Sequence, residues 1–177
     1  MALTARLVTV VEGLLLGLAV TYAGCSARQR VRDSAPPFVK MQTKFDYSDH
    51  ESYAKPGGNS VTGQGTLRHQ GDGLVTCARS RVLLLPATSY YREMIGHITA
   101  GSEPEPPETT YPSLKGMIRK TQCDARGYFA FSEIPDGPWF ILTQVNARHG
   151  GVLIKEVTLS NHRTIPVLLT DRHLVGR

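Results

Sequence analysis

The sequence predicts an all-β sandwich of seven or eight short strands. Short apolar segments rich in β-branched and aromatic residues recur along the chain, turn residues separate them, and a helical period is almost absent. The 177 residues leave room for one domain with a buried core. The formal net charge of +5 is spread without a basic run, which predicts a solvated surface and argues against a nucleic-acid partner.

The first element, residues 1–24, is predicted to be a signal peptide. A short start carrying Arg6 precedes an apolar stretch that is densest over 14–20, and the composition turns polar after Cys25. The apolar part is shorter than the ~20 residues that span a bilayer. Its layout is that of a secretory signal peptide, which predicts export.

The end of this segment resembles the lipobox of bacterial lipoproteins. Ala23, Gly24 and Cys25 match its last three positions, whereas Tyr22 stands where the family usually has leucine. The resemblance implies lipidation of Cys25, removal of residues 1–24 and a membrane anchor. Ser26, by the family's sorting rule, implies the outer membrane. An ordinary signal peptide cut after Ala23 and an uncleaved N-terminal anchor are the alternatives.

Residues 25–59 are predicted to be a flexible tether that holds the domain away from a membrane, since prolines and glycines bracket a stretch with little apolar periodicity. The alternative is a segment docked on the sandwich, because Phe45 and Tyr47 share a face if the chain is extended. A dense group of potential metal ligands lies here, but it lacks the glycine and terminal glutamate of a calcium loop, so no metal is expected. The group comprises Asp46, Asp49, His50 and Glu51.

The sandwich is predicted over residues 60–170, followed by a C-terminal tail over 171–177. Its first strand places two glycines on the core face, which suggests close backbone approach or a bulge. Residues 87–95 fit either a strand or a short helix, and the acidic, proline-rich stretch 96–112 predicts a loop. The predicted strands cover residues 61–68, 81–86, 114–122, 127–134, 138–145, 152–159 and 163–169, with a short apolar lead-in at 74–78.

The stretch around Pro135-Asp136-Gly137 predicts a hairpin at the centre of the fold. Before the turn, Phe129 and Phe131 share a face that is expected to look into a core. After the turn, residues 138–145 are apolar on both faces, as in a central strand covered on both sides. The hairpin therefore requires a second layer packed against it.

The residues of this stretch resemble the signature of carboxypeptidase regulatory-like domains, which are related to Cna-type B repeats. The resemblance implies a prealbumin-like Greek-key β-sandwich that serves as a noncatalytic module. The signature makes physical sense, since an aspartate can cap a turn through an Asx bond and a glycine can take a positive φ. The matching residues are Asp124, Gly127, Phe129, Phe131, Pro135, Gly137 and Trp139.

Two cysteines of the predicted domain, Cys77 and Cys123, are expected to form a disulfide. If Cys25 is lipidated they remain as an even pair in an exported, oxidising compartment. Closing their loop of 46 residues would stabilise the fold by ~4 kcal/mol in the chain-entropy model. The alternative is two free thiols too far apart to bond.

The sequence shows no catalytic pattern, metal-ligand spacing or cofactor motif, and a noncatalytic protein is expected. We expect an envelope lipoprotein whose sandwich is a structural or protein-binding module. One alternative is a module that binds envelope glycans, and another is an accessory subunit that docks through the 96–112 loop. The candidate glycan platform consists of four tyrosines, Tyr90, Tyr91, Tyr111 and Tyr128.

Overall fold

The structure is a computed structural model, which describes residues 38–69, 73–105, 116–146 and 150–175. The predicted signal peptide, Cys25, Tyr111 and the first part of the tether lie outside these residues. Two packed β-sheets form the described domain, which confirms the predicted all-β sandwich. Among its helices, none is long and apolar enough to cross a membrane.

The first sheet has four strands built around β1 (Asn59–His69). β1 pairs antiparallel with β2 (Gly73–Thr76) and with β5 (Tyr128–Ile134). It pairs parallel with β8 (Thr164–Leu169), so the sheet is mixed.

The second sheet has five strands in the order β4-β3-β6-β7-β9. β6 lies at its centre and is buried on both faces, as predicted. A strand in this position loses water on both sides, which explains why both of its faces are apolar. The strands are β3 (Arg81–Pro86), β4 (Arg119–Gln122), β6 (Gly137–Val145), β7 (Gly151–Leu159) and β9 (Leu174–Val175).

The main core lies between the two sheets. Phe129 and Phe131 point into it and are 4% and 7% exposed, so the predicted core face of β5 is confirmed. Trp139 is completely buried and its ring nitrogen donates a hydrogen bond to the Pro135 carbonyl, 3.2 Å away. Gly63 of β1 lies so close to Phe129 that a side chain there would collide with the ring. The glycine positions expected from sequence to allow close approach therefore do so.

A second core covers the outer face of the five-stranded sheet. Helix α2 (Ser89–Thr99) lies on this face, which decides the strand-or-helix alternative for residues 87–95. Tyr91 and Ile95 of the helix are buried with Phe140 and Leu142 of β6. The sheet is thus sandwiched between the main core and a helix.

The segment 38–58, which we call the strap, is folded against the domain and corrects the prediction of a flexible tether over this part. It contains a 3₁₀ helix (Ser48–His50) and the short helix α1 (Glu51–Ala54). Met41 and Phe45 pack on the second core, while the ring of Tyr53 meets Trp139 edge-on at 5.0 Å. Aromatic side chains in a polar, proline-bounded stretch therefore mark a docked segment here, because apolar burial holds it down.

The predicted hairpin at Pro135-Asp136-Gly137 is wrong in its pairing. The turn exists, but β5 and β6 belong to different sheets, and the chain crosses from one to the other at this corner. The buried Asn59 side chain holds the corner by donating to the Ile134 carbonyl (3.0 Å) and to Asp136 Oδ1 (2.7 Å). A turn signal specifies where the chain changes direction and leaves open which strand each arm will pair with.

The predicted disulfide between Cys77 and Cys123 is present. Cys77 follows β2 of the first sheet and Cys123 follows β4 of the second. The bond therefore ties the two sheets together at one end of the sandwich.

Candidate functional site

The outer face of the four-stranded sheet, which we call the open face, has no helix of the described chain packed against it. Side chains of three strands form a shallow groove of about 700 Å³ there. The side chains that point outward from this surface are Thr62, Gln64, Tyr128, Ala130, Pro166 and Leu168. Because helix α2 and the strap cover much of the outer side of the other sheet, this groove is the candidate functional site.

Strand register brings these residues together. Gln64 of β1 lies between Tyr128 of β5 and Leu168 of β8, and Thr62 lies between Ala130 and Pro166. Since β-strand side chains alternate between faces, all of them share the side opposite to the core. Two apolar side chains therefore flank a central amide.

The groove exposes two large apolar side chains. Tyr128 is 49% exposed and Leu168 is 52% exposed. Polar side chains of Gln64, Gln122 and Asp124 complete the lining. An apolar surface with a few polar groups at its edge is the usual make-up of a ligand-binding site.

A tight turn positions Tyr128. Asp124 Oδ1 accepts hydrogen bonds from the backbone N–H groups of Arg126 (2.8 Å) and Tyr128 (2.9 Å), as the Asx capping predicted from sequence requires. The bond from Tyr128 N–H is the main cause that lowers the pKa of Asp124. Gly127 has φ +82°, the left-handed conformation predicted for it.

The Tyr128 ring is held in place from one side. The guanidinium carbon of Arg126 lies 5.5 Å from the ring centroid, within the range of a cation–π contact. Gln64 Nε2 donates to the Arg126 carbonyl over 2.9 Å, which links the turn to the middle of the sheet. The aromatic side chain is therefore oriented before any ligand arrives.

Two of the predicted platform tyrosines are not on a surface. Tyr90 and Tyr91 are 5% and 3% exposed, because they lie on the face of helix α2 that packs into the second core. Burial raises the pKa of both hydroxyls, that of Tyr91 to about 12. The exposed four-tyrosine platform is therefore wrong for this pair, and of the four only Tyr128 is exposed among the residues that the structure describes.

The acidic cluster of the strap is used internally. Asp46 Oδ1 accepts bonds from the Ser48 N–H and hydroxyl, each over 2.8 Å, and these bonds are the main causes that lower its pKa. His50 is completely buried, with Nδ1 2.6 Å from the Asp46 carbonyl and Nε2 2.8 Å from Thr88 Oγ1. In the described parts of the chain no three potential ligand side chains come together to hold a metal.

The remaining signature residues are structural. Gly137 takes φ +131° at the corner between the sheets, where an added Cβ would lie 3.1 Å from the Tyr53 ring. Pro135 and Trp139 are joined by the ring-nitrogen hydrogen bond already described. The signature residues thus form the corner between the sheets and the turn before Tyr128, and that turn is what connects them to the open face.

Sequence reasoning missed Gln64 and Leu168 as site residues. Their position depends on the parallel pairing of β1 with β8, which are about 100 residues apart and have no local signal for each other. The outward direction of Leu168 could be predicted, since its neighbours Val167 and Leu169 would point to the opposite face. A single exposed apolar residue is ordinary, however, so it did not indicate a site.

Comparisons with known proteins agree with the fold. No family model matches the sequence, and a search of curated proteins finds no match. The chain is similar to a solved structure from Pseudomonas aeruginosa described as a "putative carbohydrate binding protein", with 24% identity and a TM-score of 0.58 over 72% of this chain and 98% of that one. It also matches the major pilin subunit BcpA of Bacillus cereus (12% identity, TM-score 0.32, 65% of this chain and 30% of that one). A third match is the fimbrial protein FimP of Actinomyces oris (9% identity, TM-score 0.36, 67% of this chain and 31% of that one). At these identities the first likeness shows a shared β-sandwich fold and nothing finer.

Proposed function

We propose that this protein is an exported, noncatalytic binding module that binds saccharides in the groove of the open face. The observation that carries the proposal is the oriented, half-exposed ring of Tyr128 beside Gln64, Gln122 and Asp124. A sugar ring offers a flat patch of C–H groups to an aromatic face, and its hydroxyls need donors and acceptors at the edge. The name given to the Pseudomonas structure is consistent with this choice.

The test is a glycan array followed by calorimetry on the strongest ligand. Tyr128→Ala should weaken binding about tenfold, or ~1.4 kcal/mol, because the stacking surface is lost while the backbone bond to Asp124 remains. Tyr47→Ala is the matched control, since Tyr47 is similarly exposed at 43% and lies on the strap. Unchanged affinity of the Tyr128 variant, or no glycan bound at all, would contradict the proposal.

A second candidate function, docking of a partner protein, is favoured by the apolar content of the same face. Of the five large apolar side chains exposed in the described residues, three lie on this sheet: Leu74, Tyr128 and Leu168. Leu74 pairs with Arg68 at the far end of β1, outside the groove. Leu74→Ala should therefore weaken a protein interface and leave glycan binding unchanged, which separates the two functions.

We also propose that the protein is attached to the cell envelope through a lipid at Cys25. A disulfide between the sheets supports an oxidising, exported location. Intact mass spectrometry of the native protein should give residues 25–177 plus acyl groups. A lipid-free mass starting at Gly24 would mean a secreted or periplasmic protein and would end the anchor proposal.

A further inference from the structure

A second groove lies on the opposite side of the molecule, where helix α2 stops short of covering the five-stranded sheet. Beyond Ile98 the sheet surface opens into a groove of about 470 Å³. We call it the arginine groove and define it by Arg79, Arg81, Leu83, Ile98, Leu142 and Val152. It shares no residue with the groove of the open face.

Its floor is aliphatic. Leu83 of β3 pairs with Leu142 of β6, and both point away from the main core toward the helix side. Val152 of β7 and Ile98 of α2 extend the same surface. Every apolar side chain that the structure describes along this groove is aliphatic, in contrast to the tyrosine of the open face. Such a floor accommodates an alkyl chain and offers no ring on which a sugar could stack.

One end of the groove carries two arginines whose backbones are fixed. Arg79 N–H donates to the Cys123 carbonyl over 3.0 Å, and the Arg79 carbonyl accepts from Gln122 Nε2 over 2.8 Å. The Arg81 carbonyl accepts from Thr143 Oγ1 over 3.1 Å. Both side chains are exposed. The disulfide and the β-ladder therefore present two guanidinium groups at the rim.

Neither guanidinium is neutralised within the described parts of the chain, where the ion pairs involve other residues. Arg92 of helix α2 shows the contrast, because its guanidinium donates two hydrogen bonds to the Glu156 carboxylate, at 2.6 and 2.9 Å. The carbonyls of the last turn of α2 accept bonds from the residues after the helix, including Ala100 and Ser102. Among the described residues that line this end of the groove, the two arginines are therefore the charged side chains.

The backbone of Arg79 adopts a conformation that is uncommon for residues other than glycine. Its φ is +61°, in the left-handed region that favours glycine or asparagine.

We infer that the arginine groove binds an anionic amphiphile, meaning a single alkyl chain that ends in a carboxylate or phosphate. The chain lies on the floor of Leu83, Leu142 and Val152, and the head accepts hydrogen bonds from Arg79 and Arg81. Arginine presents a planar set of donors that matches both kinds of head group. The volume is within the range of small-molecule sites.

The test is calorimetry of dodecanoate and dodecyl phosphate, below their critical micelle concentrations, with the purified full chain. Two comparison ligands isolate the parts: octaethylene glycol monododecyl ether has the chain without the charge and without a sugar, and acetate has the charge without the chain. We expect saturable one-to-one binding of the anionic amphiphiles, with both comparison ligands at least tenfold weaker. Raising ionic strength should weaken the binding, because ~1 M salt shortens the screening length to ~3 Å.

Variants locate the site. The double variant Arg79→Gln/Arg81→Gln should weaken dodecanoate binding at least tenfold, and Gln144→Trp, which fills the groove beside Arg81, should abolish it. Arg163→Gln removes one exposed charge outside both grooves and should have no effect. Circular dichroism and melting curves must first show that each variant is folded.

Three results would overturn the inference: equal binding of the uncharged dodecyl ether, unchanged affinity after loss of both arginines, or no saturable binding of either anionic amphiphile. Since the Tyr128→Ala variant leaves this groove intact, failure here and failure of the saccharide proposal are separate outcomes.

Discussion

At the scale of single residues, the conformation of Gly127 decides where Tyr128 points. Its φ of +82° lets the chain turn into β5 directly after the Asp124 cap. A Cβ at this position would lie 2.7 Å from Thr76 Cβ and 3.1 Å from the Gly65 carbonyl. Both the backbone conformation and the available space therefore demand glycine here.

We expect Gly127→Ala to destabilise the protein for both reasons. The positive φ costs about 1–2 kcal/mol for a residue with a Cβ, and the close contact with Thr76 should add roughly 1–3 kcal/mol. Gly73→Ala is the matched control, since its φ is +73° and no described atom lies within 4 Å of the added Cβ. Urea unfolding of both variants measures the difference, and equal free energies of unfolding would contradict the steric part.

The role of a residue could be predicted from the sequence where that role depends on its neighbours in the chain. Asp124, Gly127 and the two core phenylalanines are fixed by a turn and a strand period, so their roles could be predicted. Tyr90 and Tyr91 could not be placed, because their burial depends on whether their segment becomes a helix and on which sheet it covers. Exposure is a property of tertiary contact and has no local signal.

At the scale of elements, the strap and helix α2 hold each other on the sheet. Glu93 of the helix accepts bonds from the backbone N–H groups of Gln42 (2.6 Å) and Thr43 (2.7 Å). Val39 N–H donates to the Glu103 carbonyl, and Glu105 N–H donates to the Val39 carbonyl. Sequence composition predicted a tether here because the strap has no period of its own and gains order only by docking.

Acid should release this part of the strap. Hydrogen bonds from Thr43, together with the Gln42 N–H, lower the pKa of Glu93 from 4.5 to about 2. A lowered carboxyl pKa means that the stabilising contribution is complete above pH 4.5 and is lost as pH falls toward 2. Hydrogen exchange at the amides of Gln42 and Thr43 should therefore accelerate over this interval.

The Glu93→Gln variant removes the carboxylate and should give fast exchange at these amides already at neutral pH. Glu51→Gln is the control within the strap, because Glu51 is exposed and forms an ion pair with Lys55 at 3.8 Å. An acid transition that persists unchanged in the Glu93 variant would mean that another group holds the strap.

Pairing of elements was less predictable than their existence. The strands around residues 61–68, 81–86, 127–134, 138–145, 152–159 and 163–169 follow from local patterns and are all present. The crossing at Pro135 and the parallel neighbours β1 and β8 depend on which sheet each strand joins. That choice is made by burial of whole faces, which a local pattern does not encode.

At the scale of the whole molecule, the two outer faces of the sandwich differ, and this difference locates both proposed sites. One sheet carries α2 and the strap and has the arginine groove beyond the helix, whereas the other sheet bears the groove around Tyr128. The disulfide joins the two sheets beside both grooves. Cys123 directly precedes Asp124, and the Cys123 carbonyl accepts the hydrogen bond from the Arg79 N–H. Loss of the disulfide should therefore affect stability and both grooves together.

The variant Cys77→Ala/Cys123→Ala should be less stable by ~4 kcal/mol, the chain-entropy value for a closed loop of 46 residues. Chemical denaturation measures this difference, and a reducing agent should destabilise the wild type while leaving the double variant unchanged. Because the residues around the bond orient Arg79 and the turn before Tyr128, ligand affinity at both grooves should fall even under conditions where the variant is fully folded. If stability falls and both affinities stay the same, the disulfide is only a clamp between the sheets, and the turn and the ladder suffice to position the two sites.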